Sequence, residues 1–98
     1  MAKFALYAEL KAKAGKEAEV EAFLKQGAEM AKAEPGTVHC YGFKEDKSGV
    51  FGVFDTFNDE AGRDAHLNGE IAKALMASAE ALFSEAPKIH QIDLIGEK

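Results

Sequence analysis

A length of 98 residues is that of one domain, and its apolar reserve is modest: 18 of its 46 apolar residues are alanine, which leaves 28 larger side chains for a core. Twelve basic against 17 acidic residues give a net charge of −5, so nothing draws the chain to a phosphate backbone and no nucleic-acid partner is expected. The single cysteine, Cys40, has no internal disulfide partner, no Cys/His spacing marks a metal site, and no stretch approaches the roughly 20 apolar residues of a membrane span. The first residues, MAKFALYAELKAKAGKE, carry no basic start followed by an apolar run and cleavage site, so a soluble, cytoplasmic chain is expected.

Phe4, Leu6, Ala8 and Leu10 alternate with Ala5, Tyr7, Glu9 and Lys11, which predicts a first strand that ends before Gly15. From Lys16 the period changes. Val20, Phe23, Leu24, Gly27, Ala28 and Ala31 share one helical face, the glutamates and lysines take the other, and Glu21 and Lys25 stand in the favourable i, i+4 order. Pro35-Gly36 is the expected stop of this helix. Thr37–Lys44 and Val50–Phe57 read as two strands joined by the charged turn Lys44–Gly49, hence an antiparallel hairpin. The second of them is apolar on both faces, with Val50 and Phe54 opposed to Phe51, Val53 and Phe57, so both of its faces need covering.

Asn58 or Asp59 is placed to cap a following helix, which Asn68-Gly69 interrupts. A further helical run sets Ile71, Leu75, Met76, Ala79, Leu82 and Phe83 on one face and stops at Ala86-Pro87, and Ile89–Ile95 is a last strand. The order β-α-β-β-α-β is that of an α+β, ferredoxin-like fold with a four-stranded antiparallel sheet, in one domain over residues 1–98. Its helices cover one sheet face. The aromatic and β-branched residues on the other face call for a second copy of the chain, so a homodimer is expected.

Three segments then matter together: Glu34-Pro35-Gly36-Thr37, the aromatic strand Gly52-Val53-Phe54-Asp55-Thr56-Phe57, and Asn58-Asp59-Glu60-Ala61 leading into Asp64-Ala65-His66-Leu67. In this order they resemble the antibiotic biosynthesis monooxygenase domain family, whose members form dimeric α/β barrels. The resemblance implies a pocket between the open sheet face and the helices, and a choice among cofactor-free oxidation of phenols or hydroquinones, haem degradation, isomerisation of a sugar phosphate, and no activity. Many members carry tryptophan at the position of Phe57, and haem-degrading members use a tryptophan and a histidine where this chain has His66 and Met76. The absence of tryptophan from the chain argues against haem degradation.

His66 is the histidine that matches the family pattern, and it is the candidate catalytic base or hydrogen-bond anchor, since an electron-rich substrate must lose a proton before it passes an electron to oxygen. The alternative is a histidine at a helix break bonded to a backbone carbonyl. Tyr7, His39, Tyr41, Phe54 and Phe57 are candidate substrate-binding residues, although an aromatic face against a partner subunit explains the strand residues as well. Asp55, a carboxylate on an apolar strand, is read as pairing with a lysine or Arg63 at the strand end, with a role as general base, or as the group that orients a base from a neighbouring element, open. Cys40 reads as buried packing, and Gly52 as a bulge or as a point of close approach by a ligand or neighbour, the bulge being the commoner cause. His39 and His90 belong to opposite sheet edges. The expected function is a cofactor-independent monooxygenase, with no metal or cofactor, that oxidises a quinol or polycyclic phenol. The rivals are a non-oxidative enzyme such as a small-metabolite isomerase, which a pocket rich in Lys, Asp and Asn would favour, and a non-catalytic ligand-binding dimer.

Overall fold

A computed structural model describes residues 3–46 and 48–98. The chain runs β1 (Phe4–Lys11), α1 (Glu17–Ala31), β2 (Thr37–Lys44), β3 (Val50–Phe57), α2 (Glu60–Leu67), α3 (Glu70–Leu82) and β4 (Lys88–Asp93). The four strands form one antiparallel sheet in the order β2-β3-β1-β4, the ferredoxin-like arrangement that the pattern of elements predicts. Lys47, in the charged turn of the hairpin, lies outside the described residues.

Strand register sorts the side chains. Leu6 pairs with Asp55, and Asp55 in turn with Cys40, so the set Phe4, Leu6, Ala8, Leu10, Phe51, Val53, Asp55, Phe57 and Cys40 shares the helix-covered face. Leu10, Val20, Leu24, Phe51, Leu75, Leu82 and Phe83 form the buried cluster between sheet and helices. Each such side chain contributes about 1.5–3 kcal/mol by leaving water, so this cluster supplies most of what holds the layers together. Tyr7, Phe54, His39, Tyr41, Phe43 and His90 project from the opposite face, where the Tyr7 ring stacks between Phe43 (centroids 6.2 Å apart) and His90 (5.6 Å). Tyr41 on that face is 53% exposed.

Several expectations are corrected. The first helix ends at Ala31, ahead of Pro35, because proline disfavours helical geometry in the residue before it and the chain tightens into turns with Ala33 and Glu34 donating to Met30 and Ala31. Gly52 is no bulge but a point of close approach, the other reading of a glycine there: β3 runs in register with both neighbours, and the Phe43 ring lies where a side chain at 52 would stand. The irregularity falls between Thr37 and His39 instead. Met76 is 57% exposed, because Leu75 and Leu82 orient α3 and the next residue points about 100° away. Phe83 has left the helix for extended backbone, where it bridges to Ala12, so α3 stops before Ala86-Pro87. The last strand is shorter than expected, and Ile95 is fully exposed.

Candidate functional site

The site is assembled by two glycines. Asp59 caps α2, its Oδ1 accepting from the Gly62 N–H at 2.7 Å, and so fixes the first turn of the helix. Gly62 lies against Gly36 of the loop that enters β2; a Cβ at 36 would come within 2.9 Å of Gly62 Cα, and one at 62 within 2.8 Å of the Gly36 oxygen. Two backbones touch here with no side chain between them. His66 stands four residues after Gly62, on the same face of α2, and Glu34 two residues before Gly36. The backbone contact therefore delivers the Glu34 carboxylate to the imidazole.

His66 Nδ1 donates to Glu34 Oε1 at 2.7 Å, and Nε2 donates to Asp55 Oδ2 at 2.9 Å. Ionised carboxylates only accept, so both ring nitrogens must carry a proton and the ring is an imidazolium. Burial of this residue, 8% exposed, works against the charge, but the carboxylates of Asp55 and Glu34 outweigh it and raise the pKa to about 9. At neutral pH the cluster Asp55–His66–Glu34 thus carries one excess negative charge. Thr37 Oγ1 donates to the same Glu34 oxygen at 2.8 Å. The Phe57 ring, fully buried, packs 5.4 Å from the imidazole and holds its tilt.

Asp55 is 2% exposed, and its second oxygen, Oδ1, has no hydrogen-bond partner among the described residues. The Cys40 thiol across the strand pair is a weak donor at best. Burial pushes that thiol's pKa well up, its weak hydrogen bond to the Asp55 carboxylate and that group's charge push it further, and the Glu34 charge adds to them, so it stays neutral. Asp55, His66 and Cys40 line a cavity of about 60 Å³ between the sheet and the helices, whose other walls are apolar: Phe23, Leu24 and Ala28 of α1, Ile71 and Leu75 of α3, and the exposed Ile89 of β4. The arrangement presents one unsatisfied carboxylate oxygen, backed by a buried cation, to an apolar space. Such a group accepts a hydrogen bond, or a proton, from a neutral hydroxyl. Among the described residues no three His, Cys, Asp or Glu side chains are grouped to hold a metal ion.

The structure brings His66 and Phe57 together, and it sets Tyr7, His39, Tyr41 and Phe54 on the far face of the sheet, apart from the imidazole. The cavity beside His66 lies on the helix-covered side, not along the open face. His39 bonds Thr56 Oγ1 at 3.3 Å and stacks on Tyr41, and β2 and β4 hold His39 and His90 at opposite edges as expected. Asp55 pairs with His66 and not with a lysine or Arg63. Arg63 is buried on the other flank of α2, where it donates to the Ile92 carbonyl at 3.1 Å, approaches Asp93 at 3.6 Å and lies over the Phe4 ring. Glu34 went unread as a site residue. The Asp55–His66 half was legible, since a carboxylate on an apolar strand needs a partner and one reading of Asp55 gave it a base on a neighbouring element, but no local pattern pointed to Glu34.

No curated protein matches the chain. Among solved structures, the NE2512 protein of unknown function from Nitrosomonas europaea is 49% identical, with a TM-score of 0.93 over 100% of this chain and 94% of that one. PA3566 from Pseudomonas aeruginosa shares the fold at 22% identity, with a TM-score of 0.83 over 98% of this chain and 97% of that one. A structure described as an antibiotic biosynthesis monooxygenase shares it at 19% identity, with a TM-score of 0.81 over 95% of this chain and 99% of its own. The sequence model of one family matches residues 3–78, from β1 into α3 and across every member of the Asp55–His66–Glu34 cluster, and the chain belongs to that family, antibiotic biosynthesis monooxygenase.

Proposed function

We propose that the protein is a cofactor-independent monooxygenase that oxidises a quinol or polycyclic phenol with molecular oxygen, working as a cytoplasmic homodimer. The observation that carries this reading is the unpartnered Asp55 Oδ1 in an apolar cavity with the His66 imidazolium behind it. The hydroxyl of the substrate donates to Oδ1, and its body extends past Ile89, which is 41% exposed at the cavity edge. As the phenol passes one electron to oxygen, its O–H proton moves to Asp55, and the cluster's excess negative charge moves to the substrate side. The reduced oxygen then joins the ring carbon as a peroxide. It takes back the Asp55 proton and leaves one oxygen on the ring, while the other departs as water with the ring hydrogen. His66 is in this scheme the fixed cation that holds Asp55 and steadies the anion, and Asp55 is the base.

The apolar walls and the two carboxylates speak against a sugar phosphate or another anionic metabolite, whose charge this site would repel. Tyr7, Tyr41 and Phe54, on the open face, are the residues we assign to the contact with a second subunit. The test is oxygen uptake with a panel of quinols and phenols, for the wild type, His66→Ala and Asp55→Asn. Turnover in the wild type and a loss of roughly 10²-fold or more in both variants is expected. Binding without turnover in the wild type would make the protein a ligand-binding dimer and end the oxygenase reading.

A further inference from the structure

The Glu34-Pro35-Gly36-Thr37 segment does more than stop a helix. Glu34 is half-buried, its side chain 24% exposed, and it is the one group of the cluster that meets solvent. Two hydrogen bonds hold its carboxylate, from the His66 Nδ1–H and from the Thr37 hydroxyl on the same oxygen, and Gly69 leaves open the space beside Oε2, which a Cβ there would approach to 3.4 Å. Gly36 pressed against Gly62 fixes the loop itself. So many constraints on a surface carboxylate set its distance to one partner.

We propose that Glu34 is a positioning residue of this site, which acts through His66 by keeping the ring oriented and cationic while Asp55 takes up the substrate's proton. The inference rests on the reading of Asp55 as the proton acceptor. When Asp55 is neutralised by that proton, the imidazolium loses one of its two counter-charges. Glu34 then pairs with it alone, and the buried cation is not left uncompensated. Without Glu34, protonating Asp55 strands the charge, and His66 sheds its own proton to water. The groups that face His66 are Asp55 from β3, Glu34 from the loop before β2 and the neutral Cys40 thiol of β2; the cavity walls from α1 and α3 carry no titratable side chain.

Glu34→Gln tests this, because the amide oxygen still accepts from Nδ1 while the charge is gone. His66 is titrated by NMR in the full chain. The expected result is a fall in its proton affinity by roughly tenfold or more, with an unchanged fold, and Thr37→Val, which keeps the charge and removes one tether, moves it the same way by less. In turnover assays on any active quinol, kcat falls with KM little changed, and the alkaline limb of the pH profile moves to lower pH together with the NMR titration. An unaltered His66 titration in Glu34→Gln overturns the proposal, and if that variant does not fold, an unaltered titration in Thr37→Val does so. The titration needs no substrate. A wild type that oxidises nothing while Glu34→Gln lowers the His66 titration would thus sink the oxygenase reading and leave the role of Glu34 in fixing the charge of His66 intact.

Discussion

Replacing His66 by leucine removes the cationic partner of Asp55, whose carboxylate is 2% exposed and has one oxygen unpartnered among the described residues. Breaking a buried charge pair from one side costs about 3–5 kcal/mol. A limit exists, because the stranded carboxyl can take up a proton, and against pH 7 that costs a carboxylate of ordinary acidity about 4 kcal/mol. The loss in His66→Leu is therefore expected to be about 3–4 kcal/mol at pH 7 and only about 1.5 kcal/mol at pH 5, where protonation is easier. Changing Asp55 to leucine as well removes the stranded charge and puts apolar volume beside the cavity. The double variant is expected within about 1.5 kcal/mol of the wild type. Urea unfolding followed by far-ultraviolet circular dichroism measures all three, since the chain has no tryptophan to report by fluorescence. Protomer concentration is held constant, because association shifts apparent stability. A His66→Leu loss equal at both pH values, or a double variant weaker than the single one, would refute the buried pair as the source of the effect.

The raised pKa of His66 makes a second statement about the wild type. Its folded value, about 9, lies above the ordinary 6.5, so the stabilisation is fully present below about pH 6.5 and is lost as pH rises through about 9. The amount is at most about 3 kcal/mol, lowered by solvent screening at the exposed edge of Glu34, and the pH dependence of the unfolding free energy should flatten in that window in the double variant. Gly62→Ala should lower stability by about 1–3 kcal/mol although alanine is the better helix former, because its Cβ meets the Gly36 backbone; the His66 titration should fall with it, as Glu34 is pushed away. On the open face, Tyr41→Lys should convert a dimer to monomer by light scattering without touching the His66 titration, and a wild type that is monomeric at micromolar concentration would remove the case for the second copy.

Periodicity carried the fold a long way. Alternation in Phe4–Lys11 and in the hairpin, and the change to helical spacing at Lys16, specify strands and helices locally, because each side chain's phase is set by its own neighbours along the chain. The same phase told that Tyr7 and Leu6 part to opposite faces, whereas the place of Asp55 on the buried side with Phe51 and Phe57 came from the register and the helices over it. The choice of His66 as a site residue came from the family resemblance. Its two carboxylate partners and the raised pKa they cause came only from the structure.

Composition gave 28 large apolar side chains and the look of one modest core; the strand pattern divided them between two sheet faces, and the register of four strands bears out that division. What local pattern could not supply was which carboxylate meets which base. Glu34, Asp55 and His66 are separated by about twenty and ten residues, and no periodicity links a loop, a strand and a helix. Only the packing of Gly36 on Gly62, together with the register of β3, closes those distances to 2.7 and 2.9 Å. Secondary structure follows from short-range sterics and phase, while a charge cluster depends on how separate elements dock, and in this chain that docking turns on two residues with no side chain at all.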